Sequence, residues 1–263
     1  MLYPWLSVCS ALRPFALLPK RITSLVLCCL LWIGLAQPLQ AATLDPAINS
    51  NLEAQVLQII RNHPEVIIES VQAYQKQQQE EVRKNRQSLV QQLQANPRAA
   101  IGNSPRTGSS QAKMVLLEFS DFQCPYCAQT VVMLKEFMQK YGNQVALVYK
   151  HYPLVSIHPQ AMPAAKAAWA AAQQGKFWPY HDALFAQQQE LGEDLFLKIA
   201  QELQLDLSRF NRDRQSQAAT TAIEQDMKMG EALGIEGTPF LVLNGRLFNG
   251  APPLEELEKA LQS

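Results

Sequence analysis

Met114-Val115-Leu116-Leu117-Glu118-Phe119-Ser120-Asp121-Phe122-Gln123-Cys124-Pro125-Tyr126-Cys127 is the stretch from which the fold of this 263-residue chain is read. Its first four residues are apolar and read as a buried strand. Behind it, Val131, Leu134, Phe137, Met138 and Tyr141 recur at helical spacing. The two cysteines therefore stand where strand gives way to helix. Cys124 takes the N-cap, Pro125 the first helical position, where a missing N–H costs nothing, and Cys127 lies one turn inside. Unpaired backbone N–H groups and the positive end of the helix dipole face the Cys124 sulfur. That environment favours thiolate over thiol, and the thiolate is the attacking species. Cys127 is near enough to close a disulfide on Cys124 or to expel a thiol bound to it.

The rest of the cysteine count sharpens this reading. Cys9, Cys28 and Cys29 fall within residues 1–42, and Cys124 and Cys127 are the only cysteines beyond. A chain with one C-x-x-C pair and no other cysteine in its body does not use cysteine as a staple; the pair is there to change oxidation state. Half of a zinc site is the competing reading, and no second cysteine pair exists to complete it. His63, His151, His158 and His181 show no ligand spacing either; His63 and His158 each precede a proline and read as helix-start residues.

Composition is that of a globular protein, with 48% apolar and 17% charged residues. Formal net charge is zero, but Arg13, Lys20 and Arg21 stand in residues 1–42 without an acid, which leaves a charge of −3 on the remainder. Such a surface gives no reason to expect nucleic acid as a partner. Lys20-Arg21 precede residues 22–36, fifteen residues without a charge, followed by Leu39-Gln40-Ala41-Ala42. This is signal-peptide order, and the apolar core is short of the roughly twenty residues of a spanning helix. Residues 1–42 are expected to be a signal peptide or an uncleaved membrane anchor. In either case the body is exported, to the periplasm or an equivalent compartment.

Residues 43–96 read as a helical arm. Leu52, Val56, Ile59 and Ile60 form one apolar stripe, Asn62-His63-Pro64-Glu65 interrupts it, and Val66, Ile67, Val71 and Tyr74 continue it. From Gln75 to Gln94 the helix turns polar, with Val82, Leu89 and Leu93 as sparse apolar points. The stripe must be covered, either by other copies of the chain, as a homo-oligomer through residues 44–96, or by folding back on its own catalytic domain. Residues 97–112, with Asn96-Pro97, Gly102-Asn103-Ser104-Pro105 and Gly108-Ser109-Ser110, read as a linker and as the domain boundary.

In the remaining domain, residues 113–263, a second strand is expected at residues 145–150. Helices follow at residues 161–174, 181–189, 194–203, 207–213 and 218–233. Phe177, Trp178 and Tyr180 form an aromatic corner more suited to core than to docking. Residues 240–243 and 246–248 read as strands joined by the tight turn Asn244-Gly245. Pro252-Pro253 start a last helix whose buried face is Leu254, Leu257 and Leu261.

The strand, Cys124-Pro125-Tyr126-Cys127 and the helix resemble the redox centre of a thioredoxin-fold protein. Residues 112–262 as a whole resemble the DsbA-like thiol–disulfide oxidoreductases. Glu118, six residues before Cys124, matches that family's buried acid beneath the disulfide. Gly237-Thr238-Pro239-Phe240 resembles the loop whose cis-proline faces the cysteines. The resemblance implies an α/β, thioredoxin-like fold with an inserted helical subdomain at about residues 156–233, preceded here by the arm. It implies Cys124, Cys127 and Glu118 as catalytic residues, Pro125 and Tyr126 as tuners of the redox potential, and Thr238 and Pro239 as backbone partners for an extended peptide. Glu118 has two readings. It either points outward from the strand or, buried, has its pKa raised so that it relays protons to or from Cys127.

No cofactor is expected beyond the Cys124–Cys127 disulfide. The implied partners are unfolded or reduced secreted proteins and a membrane redox enzyme. As a disulfide-forming oxidase the chain needs reoxidation by a DsbB-like or vitamin K epoxide reductase-like partner. As an isomerase or reductase it needs a membrane electron donor. A different class is a copper or zinc carrier holding metal on Cys124 and Cys127.

Overall fold

The computed structural model describes residues 46–262. The expected leader and the first residues of the expected arm lie outside them. The chain divides into two compact units, one ending at Ile68 and one beginning at Glu69. The first holds helix α1 (Pro46–Asn62) and the opening of helix α2 (Pro64–Ala95). His63 closes α1, its N–H donating to the Ile59 carbonyl at 2.9 Å. Pro64 then opens α2 at the position where proline is tolerated. Leu52, Val56, Ile59, Ile60 and Ile67 on these helices are exposed. No described helix is long and apolar enough to cross a membrane.

The second unit is built on a five-stranded sheet in the order β1-β3-β2-β4-β5. The strands are β1 (Arg106–Gly108), β2 (Met114–Ser120), β3 (Val145–His151), β4 (Phe240–Leu243) and β5 (Arg246–Asn249). The central pair β2 and β3 is parallel, with Glu118 beside Tyr149 and Ser120 beside His151; the other pairings are antiparallel. Helix α3 (Pro125–Tyr141) joins β2 to β3, as parallel strands require. Every residue of β3 is buried, because helices cover both faces. Leu134 and Phe137 of α3 pack with Leu116 and Leu147 on one face.

Residues 97–112 correct the linker reading. Pro97–Ala100 is a 3-10 turn, Ala100, Ile101 and Ala112 are buried, and Arg106–Gly108 adds an edge strand to β3. The Gly and Pro content marks turns within a packed segment. Gly108, at φ +85°, has room for nothing larger: a Cβ there would lie 2.3 Å from the Val145 carbonyl oxygen. The domain boundary is likewise displaced to Ile68/Glu69, within α2. The C-terminal turns of α2 belong to the second unit, where Leu89, Val90 and Leu93 join a cluster with Val115, Leu117 and Val242. For that part of the arm, folding back is what occurs.

Between β3 and β4 stands the helical insertion: α4 (Ala161–Ala172), α5 (Phe177–Ala186), α6 (Glu193–Glu202), α7 (Leu207–Arg214) and α8 (Gln217–Ala232). Seven alanines of α4 are buried, and their short side chains let the neighbouring helices approach closely. Phe177 and Tyr180 are core, as read from sequence, while Trp178 is half-buried and donates its indole N–H to the Arg106 carbonyl at 2.9 Å. The insertion is pinned to the sheet by a buried ion pair. Lys150 Nζ lies 3.0 Å from Asp226 Oδ1 of α8 and 2.7 Å from Ser104 Oγ, and the His151 N–H donates to Asp226 Oδ2 at 3.1 Å. Helix α9 (Leu254–Ala260) closes the chain with Leu257 buried.

Candidate active site

Cys124 is the N-cap of α3, extended at φ −76° and ψ 121°, with Pro125 at the first helical position. The sequence dictates this corner. β2 ends at Ser120; in Asp121, which follows it, the carbonyl accepts the Cys124 N–H at 3.1 Å and Oδ1 accepts the Gln123 N–H at 2.8 Å. Cys124 shows 4% of its surface and Cys127 none; both carry free sulfurs. Tyr126 between them is exposed.

The two sulfurs are pushed in opposite directions. The Cys127 thiol, hydrogen-bonded to Cys124, does most to hold the Cys124 thiol at a pKa of about 5 against an ordinary 9.0, with partial burial opposing and Thr238 and the first-turn backbone N–H groups assisting. Burial drives the Cys127 thiol far upward, and the Cys124 thiolate adds to it. One sulfur is thus ionised at neutral pH while its neighbour keeps its proton.

Thr238 and Pro239 lie where the sequence puts them. The Thr238–Pro239 peptide is cis, and Cys124 Sγ lies 3.3 Å from the Thr238 carbonyl oxygen. Residues 114 positions apart are brought together because β4, which follows the loop, pairs with β2, which precedes Cys124.

Glu118 is buried and does not point outward from the strand. It is 1% exposed, and its Oε1 has no hydrogen-bond partner. Burial raises its carboxyl from 4.5 to about 7, and the nearby Ser120 hydroxyl pulls weakly the other way. Tyr149, its neighbour on β3, is also buried, and its hydroxyl is pushed well up, chiefly by burial and next by Glu118.

Several residues near the site were not picked out by sequence reasoning. Gln188, in a short 3-10 turn of the insertion, donates from Nε2 to both the Phe122 carbonyl (2.8 Å) and the Cys124 carbonyl (2.9 Å). Nothing in the polar run around it signals this grip. Asp121 Oδ2, fully buried, accepts the Leu154 N–H at 2.9 Å and lies 2.7 Å from His158 Nδ1. His158 is therefore more than the helix-start residue it reads as: α4 begins at Ala161, and the ring ties the loop after β3 to the active-site corner. Among the described residues no group of three or more His, Cys, Asp or Glu is placed to hold a metal ion.

Comparison with known proteins fits this geometry. A family model described as Thioredoxin matches residues 100–263. A thioredoxin-like oxidoreductase from Silicibacter pomeroyi is 31% identical, with a TM-score of 0.58 over 63% of this chain and 95% of that one. ScsC from Proteus mirabilis, at 22% identity, shares the fold over 83% of this chain and 97% of its own, with a TM-score of 0.57. Among curated sequences, a Na(+)/H(+) antiporter NhaA 3 from Salinispora tropica is 38% identical over 156 residues. The chain spans about a quarter of that relative's length, 24%.

Proposed function

We infer a function for a chain that belongs to the thioredoxin family: it is a thiol–disulfide oxidoreductase that uses the Cys124–Cys127 disulfide to oxidise cysteines of exported proteins. The observation that carries this reading is the opposite tuning of the two sulfurs. A substrate thiolate attacks Cys124 Sγ, the Cys124–Cys127 bond breaks, and Cys127 departs with the electron pair and takes up a proton. A second substrate thiolate then attacks the substrate sulfur of the mixed disulfide and releases Cys124 as thiolate. A thiol held near 5 is a good leaving group, and its stabilised thiolate favours the reduced protein. Both effects drive the reaction toward substrate disulfide, hence toward an oxidase.

Glu118 supplies the proton that Cys127 needs, since a carboxyl near pH 7 exchanges protons in both directions. Thr238 and Pro239 present backbone to the substrate peptide, supported by the 3.3 Å approach of the Thr238 oxygen to Cys124. Pro125 and Tyr126 tune the potential from within the first helical turn. The location is outside the cytoplasm, supported by the order of residues 1–42, and a membrane enzyme restores the disulfide.

The test is exchange with a reduced peptide containing two cysteines. The oxidised protein forms the peptide disulfide stoichiometrically, Cys124→Ser and Cys127→Ser each abolish this, and the Cys127→Ser thiolate, given the peptide in its disulfide form, opens that disulfide and is trapped as the mixed disulfide with release of one peptide thiol. No peptide disulfide from oxidised wild-type protein would refute the reading. The isomerase or reductase reading is favoured by one observation, the exposed apolar residues of α1 and early α2, which suit assembly into a homo-oligomer. Acid-trapping the cysteines in cells separates the two: disulfide for an oxidase, dithiol for an isomerase or reductase. Tight binding of copper by the reduced protein without dithiol exchange would instead mark a metal carrier.

A further inference from the structure

Behind the cysteines, on the face of β2 and β3 that carries Glu118, lies a cavity of about 340 Å³. Glu118 lines its inner end. Apolar Val131 and Leu134 of α3 form one wall, and His181, Asp182 and Lys135 also border it. The last two form an ion pair at 2.8 Å with both side chains substantially exposed, so this border meets solvent. His181 bridges inside and outside. It is 3% exposed, its Nδ1 lies 2.9 Å from Asp182 Oδ1, and its Nε2 is buried without a partner. Unpartnered buried polar atoms are uncommon in folded proteins, and each asks for an explanation. Here they cluster: Glu118 Oε1, Ser120 Oγ, Tyr149 OH, both ring nitrogens of His151, and His181 Nε2. The His181 ring centroid is 5.2 Å from that of Tyr149, and the His151 centroid 5.1 Å.

We propose that this cavity is the proton route between solvent and Glu118, with His181, anchored by Asp182, as the residue that passes protons along it. The proposal rests on the oxidoreductase reading and on Glu118 as the proton donor to Cys127. When substrate thiolate breaks the Cys124–Cys127 bond, Cys127 leaves as thiolate and takes the Glu118 proton. The Glu118 carboxylate is then reprotonated through the cavity by the His181 ring, which recovers its proton from solvent on the Asp182 side. One proton moves inward per disulfide reduced, and the reverse path serves reoxidation. The cavity is bordered on α3 from Val131 onward and by none of Cys124, Tyr126, Thr238 and Pro239, so the proton does not pass through the N-terminal end of α3 where a protein substrate would meet Cys124.

Ser120 on β2 acts on Glu118, Tyr149 on β3 feels both Glu118 and Cys127, and His151 on β3, Lys135 on α3 and Asp182 on α5 stand about His181. Burial keeps His181 and His151 neutral near pH 7, with His151 at about 4. Asp182 works against that for His181, which keeps the ring's protonation within reach. Lys135 and Asp182 compensate each other at the solvent side.

The experiment uses the full-length oxidised protein, reduced by a small thiol in rapid-quench mode across pH values on both sides of 7, in wild type, Glu118→Gln, His181→Ala and Asp182→Asn. His181→Ala is expected to slow reduction about tenfold near neutral pH, within the range for loss of a proton-transfer group. Added imidazole restores the rate, and Asp182→Asn, a half-exposed site that spares folding, shows a smaller loss with a shifted pH profile. In the reduced protein, iodoacetamide reaction at Cys124 stays at the wild-type rate in His181→Ala and Asp182→Asn. Wild-type rates and profiles in both variants, or a loss that imidazole does not restore, overturn the route. If Glu118→Gln alone is slow, the route fails and the role of Glu118 stands. If Glu118→Gln is not slow, both fall. If wild type itself does not exchange thiols, the functional reading fails first.

Discussion

Cys124 and Glu118 are titrating groups held away from their ordinary values in opposite senses, and each gives the protein its own pH dependence. The Cys124 thiol, lowered to about 5, binds its proton less tightly in the folded reduced state than in the unfolded one. Its contribution to stability is therefore complete above the ordinary value of 9.0 and is lost as pH falls through about 5. Alkylation of Cys124 should follow a single titration with its midpoint near 5, read from iodoacetamide rates or ultraviolet thiolate absorbance; a midpoint at the ordinary thiol value would contradict the site described. Glu118 runs the other way. Its raised carboxyl stabilises the fold below 4.5, and that contribution is lost as pH rises through about 7. Glu118→Gln should gain up to about 3 kcal/mol on wild type between acid and mildly alkaline pH, measured by urea unfolding of the reduced protein. A constant difference across pH would show that the carboxyl is not buried as described.

At the level of elements, the close fit of α8 to the loop after β3 is a sensitive joint. Gly230 of α8 faces the Tyr152 ring, and a Cβ there would stand 2.5 Å from Tyr152 Cε2, while the Tyr152 hydroxyl donates to the Ile235 carbonyl at 2.8 Å. Gly230→Ala is expected to cost about 1–3 kcal/mol through overpacking, visible as a lower thermal midpoint with secondary structure intact. This joint also shows what the sequence carries and what it does not. The strand–corner–helix around Cys124 is legible because an apolar run and a 3.6-residue period meet at a proline. The hairpin at Asn244-Gly245 is legible because both residues take positive φ, at 47° and 86°. Strand β1 is not: Arg106-Thr107-Gly108 is too short to alternate, and pairing with β3 is what makes it a strand. The grip of Gln188 and the pairing of Asp121 with His158 escape for a related reason. They join residues 66 and 37 positions apart, and no local period encodes such contacts.

For the molecule as a whole, the bond between sheet and insertion is concentrated at Lys150 and Asp226, whose side chains are 5% and 10% exposed. Removing one partner leaves the other charge buried alone. Asp226→Ala should therefore cost about 3–5 kcal/mol, whereas the double change Lys150→Met with Asp226→Leu should recover much of it; denaturant unfolding of the three variants checks the order. If the single and double variants lose equally, packing rather than charge holds the insertion.

The amide of Gln188 has a consequence for engineering. It belongs to the insertion, yet it holds the two carbonyls on either side of Gln123. The insertion is thus no detachable cassette. A hybrid that borrowed these helices from a cousin would alter the electrostatic setting of Cys124 without changing any residue of Cys124-Pro125-Tyr126-Cys127, and its redox character would have to be measured afresh.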